Sequence, residues 1–242
     1  MQLNILIIEP FFTGSHARWA TGYAKYSRHN VEILSLPGRY WKWRMHGGAV
    51  TLAGMFKKRN ETPDVLITTD MLDTATFLSL IRGQHPPIPV INYFHENQIT
   101  YPWSSDDPDP GLDRDAHYGF INYTSALTSD AVVFNSNYHM DSFLSGLEKM
   151  ISQFPDHRNS QTISLIGDKS QVVHCGIERR FHVGPEKQTE NIDAPLIIWN
   201  HRWEYDKNPD DFYRILRRLK KSGLTFRLAV IGESYRKSPP VF

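Results

Sequence analysis

Residues 3–19 read LNILIIEPFFTGSHARW, and the rest of the chain repeats the alternation that begins there. The run Leu3 to Ile8 is short, continuous and apolar, the pattern of a strand buried on both faces; Glu9, Pro10 and then Thr13-Gly14-Ser15 are expected to stop it. A helix follows, with Ser15 as its cap and Trp19, Tyr23 and Tyr26 recurring at helical spacing. Further strands are expected at Val31 to Leu36, Val65 to Thr68, Val90 to Phe94, Ala131 to Phe134 and Val172 to His174. Helices are expected around Ala75 to Ile81, Tyr118 to Leu127 and Tyr138 to Ile151. Strands alternating with helices favour an α/β fold with a Rossmann-type, doubly wound parallel sheet over a sandwich or a bundle.

This pattern fills a first domain, residues 1–183. Residues 184–194 are polar and aperiodic, with Gly184, Pro185 and Asn191 among them, and read as a linker. Residues 195–242 begin a second unit: a strand at Leu196 to Trp199, a helix from Asp210 to Lys221 ended by Gly223, and a strand at Phe226 to Ile231. Two strands and a helix cannot close a core of their own, so this second Rossmann-like domain reads as truncated.

The 242 residues carry 27 Lys+Arg against 26 Asp+Glu, so no global field draws the chain to nucleic acid or membrane, and any contact with a polyanion must be local. A single cysteine, Cys175, excludes an intrachain disulfide or a multi-thiolate zinc site and is expected to be a small buried hydrophobe. No basic leader and no 18-residue apolar run is seen, so a soluble, cytoplasmic protein without membrane contact is the expectation.

Polar residues gather at the expected strand ends. Gly14, Ser15 and His16 open a helix beyond the first strand, where backbone N–H groups and the helix dipole suit a diphosphate, although a glycine turn there is common in α/β proteins. His95, Glu96, Asn97 and Gln98 follow the strand Val90 to Phe94 directly; they suit a ligand site or, alternatively, a capping loop. Position 99 is Ile, so the zincin pattern fails.

In HRWEYDKNP, residues 201–209, Arg202 and Lys207 stand five residues apart, as a diphosphate leaving group needs, unless Glu204 and Asp206 simply pair with them. In GRYWKWRMH, residues 38–46, Arg39, Lys42 and Arg44 interleave with Tyr40, Trp41 and Trp43, suited to stacking on unpaired bases or else to core packing. The acids Asp106, Asp107, Asp109, Asp113 and Asp115 lack calcium-loop spacing and are read as a solvated loop, leaving no metal assignment. No P-loop, Gly-x-Ser-x-Gly elbow or Gly-x-Gly-x-x-Gly fingerprint occurs.

Taken in order, LIIEPFFTGSH, LPGRYWKWR, YFHENQITYP, VVFNSNYHMDSFL, FPDHR and NHRWEYDKNPDDFYRIL resemble the glycosyltransferase-like family of tRNA-queuosine α-mannosyltransferases over nearly the whole chain. The resemblance implies a retaining GT-B architecture, two Rossmann-like domains facing a cleft. It implies transfer of mannose from GDP-mannose, as nucleotide-sugar donor, to queuosine at the wobble position of tRNA-Asp, with no cofactor and no metal. It matches Arg202 and Lys207 to a basic pair at the donor diphosphate, Gly14 to the glycine of the first loop, and His95 to a position beside the transferred sugar. It makes Arg39, Trp41, Lys42, Trp43 and Arg44 candidates for the anticodon loop, with Glu96 and Asn97 on the acceptor side. The later pair of glutamates of that pattern is not in this sequence. Two rival readings are a GT-B enzyme acting on a lipid or glycan and a non-catalytic RNA-binding module.

Overall fold

The computed structural model of the chain describes residues 1–83, 85–112, 114–177 and 194–232. Two compact units are present: Met1–Tyr101 with Pro108–Ile177, and Pro102–Asp107 with Glu178–Phe242. Apart from Ala194, the expected linker lies outside the described residues.

In the first unit, strands β1 (Asn4–Phe12), β2 (Asn30–Pro37), β3 (Val65–Thr69), β4 (Val90–Phe94), β5 (Ala131–Phe134) and β6 (Ser170–Val172) form one sheet, ordered β2-β1-β3-β4-β5-β6. Every adjacent pair is parallel. β1 is apolar on both sides because both sides are covered. Ile5 and Ile7 pack with Ile67, Tyr93 and Ala20 of helix α1 (Gly14–Tyr26). Leu6 and Ile8 point the other way, onto Ala49, Leu52 and Phe56 of α2 (Trp41–Phe56) and Phe77 of α3 (Thr74–Ile81). Farther along that second face, Phe94, Val132 and Phe134 meet Tyr123 of α4 (Ala116–Thr128), Phe143 of α5 (Asn137–Ser152) and Ile166 of α6 (Gln161–Asp168). Helices on both faces make the sheet doubly wound, as expected.

Several local expectations are corrected. β1 does not stop at Glu9 and Pro10 but runs on to Phe12. A proline is tolerated there because β1 pairs with β3 only up to Ile8 and its register against β2 shifts between Glu9 and Phe12, so Pro10 lies in an irregular, one-sided stretch. Ser15 is not the cap of α1: Thr13 holds that position and makes no side-chain cap bond. The buried face of α1 carries His16 and Ala20, whereas Tyr23 and Tyr26 are exposed. Residues 41–56, with three glycines, form a helix that was not expected; its buried positions Met45, Ala49, Leu52, Ala53 and Phe56 recur at helical spacing. α6 was also missed, and Cys175 is exposed, with Sγ 3.3 Å from Tyr93 Oη.

The described part of the second unit includes one βαβ element: β7 (Leu196–Asn200) and β8 (Arg227–Ile231) pair in parallel, with α7 (Pro209–Lys221) between them. Trp199 is buried, its ring 4.6 Å from that of Phe212. Among the described residues no helix is long and apolar enough to cross a membrane.

Candidate active site

In an open α/β sheet, ligands bind beyond the carboxyl ends of the strands where the strand order reverses. Here β2 and β3 flank β1, so the crevice opens beyond β1 and β3. The residues at those ends are Glu9 in β1, Asp70 just after β3 and His95 just after β4, with His16 in the first turn of α1. Glu9, Asp70 and His16 are buried, and the His95 side chain is 7% exposed.

The four residues form two carboxylate–histidine pairs. Glu9 Oε2 lies 3.0 Å from His16 Nδ1, while Glu9 Oε1 accepts from the Phe11 backbone N–H at 2.8 Å. Asp70 Oδ1 accepts from the His95 backbone N–H at 2.8 Å and lies 3.2 Å from His95 Nδ1. The two imidazoles are 4.2 Å apart between centroids, and the Trp19 ring abuts His95 edge-on at 4.8 Å.

Burial opposes a charge on His16, but its hydrogen bond to Glu9 and the nearby Asp70, Glu9 and Glu96 carboxylates outweigh burial and lift its pKa to about 9. His16 is therefore an imidazolium at neutral pH. Burial would likewise raise Asp70, yet its hydrogen bonds to His95 and the charge on His16 hold its carboxyl below the usual range. An ionised Asp70 requires a donor, which assigns a proton to His95 Nδ1. That leaves His95 Nε2 buried and without a hydrogen-bond partner among the described residues, and Thr69 Oγ1, one residue before Asp70, is in the same condition. A buried orphan nitrogen on a fixed ring is a ready hydrogen-bonding group for a polar ligand. On spacing alone, Glu9, His16 and His95, each offering one atom within 4.8 Å of the others, could hold a divalent cation; such an ion would have to displace the proton on His16.

Gly14 has φ +51, a left-handed conformation that glycine adopts without penalty, and open space where a Cβ would stand. Gly14 and Ser15 are exposed in the uncapped first turn of α1. Asn97 is buried, and its Oδ1 accepts from Ile99 N, Thr100 N and Thr100 Oγ1, so this residue folds the loop after β4. Glu96 adds to the field on His16 and accepts weakly from Gln98 Nε2 at 3.5 Å. Asn122 ties that loop to β3: its Nδ2 donates to Asp70 O at 2.8 Å and its Oδ1 accepts from Gln98 N at 2.6 Å. Glu9, Asp70 and Asn122 were not singled out from the sequence. Acids ending apolar runs at Glu9 and Asp70 were the available signal.

Residues 41–44 lie in the first turn of α2 rather than in a loop. Trp41 packs on Tyr118 at 5.1 Å, Lys42 Nζ pairs with Asp109 Oδ2 at 2.5 Å, and Arg44 Nε donates to Pro37 O; Arg39 and Trp43 are exposed. Asp109 is thus not a solvated loop acid: Lys42, then Tyr118, hold its carboxyl low. Asp113 lies outside the described residues. In the second unit, Arg202 contacts Glu204 at 2.9 Å and Asp206 at 3.7 Å, and Lys207 contacts Asp206 at 2.6 Å. The two cations therefore converge on one carboxylate, as the simpler reading of that loop anticipated.

A family model described as tRNA-queuosine alpha-mannosyltransferase N-terminal matches residues 4–177, from the first residue of β1 to the end of the first unit. A protein of Drosophila melanogaster named tRNA-queuosine alpha-mannosyltransferase is 34% identical over 247 residues, an alignment covering 99% of this chain. The chain spans 64% of the length of that relative.

Proposed function

This chain belongs to the tRNA-queuosine alpha-mannosyltransferase family, and from that membership and its buried site we propose that it serves glycosyl transfer from GDP-mannose to queuosine at the wobble position of tRNA-Asp. The observation that supports this most is the Glu9–His16 and Asp70–His95 assembly at the switch point: a fixed imidazolium beside the first turn of α1, next to an imidazole with an unengaged, buried Nε2. The N–H groups of Gly14 and Ser15 at the uncapped start of α1 favour a diphosphate, and the His95 ring offers a hydrogen bond to a sugar hydroxyl.

In this reading His95 orients the mannosyl group. Arg202 and Lys207 stabilise the charge that builds on GDP as the glycosidic bond breaks, without a metal. The queuosine hydroxyl attacks from the same face as the departing phosphate, which helps to take its proton, so configuration is retained. Arg39 to Arg44 face the anticodon loop, with Glu96 near the acceptor. A reducing, cytoplasmic setting fits the single cysteine.

The test is transfer of labelled mannose from GDP-mannose to queuosine-containing tRNA-Asp, run beside the fly relative. Transfer, or saturable binding of both GDP-mannose and this tRNA, supports the proposal. RNA binding with no donor binding favours a non-catalytic RNA-binding module, and neither binding defeats the proposal.

A further inference from the structure

Trp41 and Trp43 stand two residues apart on α2 but have different surroundings. Trp41 is half-buried against Tyr118. Trp43 is 64% exposed. Its indole lies along the helix over Gly47, one turn farther on: a Cβ at Gly47 would stand 2.5 Å from Trp43 Cζ2 and 2.6 Å from Cε2. Glycine is a poor residue for a helix interior, and here its missing side chain is what lets the six-membered ring of Trp43 rest close over the next turn while most of the residue stays open to solvent.

The surroundings favour an anion. Arg39, Lys42 and Arg44 lie within four residues of Trp43, and Lys42 is paired with Asp109. Arg39 is exposed, and Arg44 is held by its bond to Pro37 O beside the start of the helix. Tyr40 is 74% exposed and has φ 56, a left-handed conformation that bulky residues rarely adopt. A pre-seated aromatic face among cations matches the way single-stranded nucleic acid is held, by stacking on bases that are not paired while phosphates meet arginine.

We propose that Trp43, seated on Gly47, is a stacking platform for one unpaired base of an RNA loop, with Arg39 and Arg44 meeting the adjacent phosphates. The proposal rests on the reading that the acceptor is RNA, and it separates the two tryptophans: Trp43 contacts the nucleic acid and Trp41 supports the fold.

The test is the affinity of this chain, across one series of salt concentrations beginning low, for a labelled anticodon stem-loop and for a blunt duplex of equal length. Trp43→Ala weakens loop binding roughly 5- to 150-fold and leaves the salt dependence unchanged, because the phosphate contacts remain. Trp43→Phe restores much of the loss. Gly47→Ala displaces the indole and also weakens binding, while its thermal midpoint holds or rises because alanine favours the helix.

Equal affinity of wild type, Trp43→Ala and Gly47→Ala for the loop overturns the platform and leaves the RNA reading standing. So does wild-type binding of loop and duplex with one affinity. No measurable binding of wild type to either RNA overturns both.

Discussion

Replacing Glu9 by Gln removes one charge from the buried site and almost nothing else, since the amide oxygen can still accept from the Phe11 N–H. The change acts on His16. Its pKa is raised from the ordinary 6.5 to about 9 in the folded protein. A group whose folded pKa is raised stabilises the fold fully below its unfolded value, here pH 6.5, and that contribution is lost as pH climbs through the folded value, here about 9. Each pKa unit corresponds to about 1.4 kcal/mol, so the proton on His16 contributes about 3 kcal/mol at low pH and about 2 to 3 kcal/mol at pH 7. Glu9→Gln should therefore lower the stability of the first unit at pH 7 by about 2 kcal/mol, with the wild-type advantage vanishing above about pH 9. The assay is urea unfolding of both proteins from pH 5.5 to 10, with the His16 Cε1–H resonance followed by NMR over the same range. Parallel stability curves, together with an unmoved His16 midpoint in the variant, would refute the electrostatic account of this site.

Other outcomes follow from single positions. Gly38→Ala would place its Cβ 2.2 Å from Thr13 Cγ2 and 2.4 Å from Thr13 Cβ, pushing the first loop away from β2, so a loss of about 1 to 3 kcal/mol is expected in a thermal melt. Asn122→Ala strips partners from two backbone groups, Asp70 C=O and Gln98 N–H, and should cost about 3 kcal/mol by denaturant titration. If the transferase proposal holds, Arg202→Ala and Lys207→Ala each lower turnover by about 100-fold, roughly 3 kcal/mol of transition-state stabilisation, in single-turnover transfer. Unaltered rates in both variants would remove these two residues from the chemistry.

The sheet was legible because parallel strands are buried on both sides, and runs such as Val65 to Thr68 and Ala131 to Phe134 are too short and too apolar to be anything else. α2 was not legible, because Gly47, Gly48 and Gly54 argue locally for a loop while Met45, Ala49, Leu52 and Phe56 are helical only once the sheet is there to cover them. Pro10 misled for a related reason: one-sided pairing, which excuses a proline, is a property of the assembled sheet. In the candidate site, His16 and His95 could be found as polar residues next to strand ends. Their carboxylate partners could not be found that way. Glu9 looked like a strand terminator and Asp70 like an unremarked acid after Thr69, and only the parallel register of β1, β3 and β4 makes them neighbours. Asn97 stood out as a polar residue, and its role inside the loop became visible only in its three hydrogen bonds.

The strand order also bears on how the protein assembles. Ile5 pairs with Val31 across 26 positions and Leu66 with Val90 across 24, but Ile5 also pairs with Val65, across 60. Entropy of closure grows with loop length, and parallel sheets rich in distant pairings fold slowly. The switch point is, by construction, the place where the chain must return over its longest detour to its own beginning, and Glu9, His16, Asp70 and His95 meet there. An intermediate that lacks the β1–β3 pairing still has the residues of the Glu9–His16 pair together in β1 and α1, and those of the Asp70–His95 pair together across β3 and β4, but it does not bring the two imidazoles to 4.2 Å, so that approach marks the closing of the sheet.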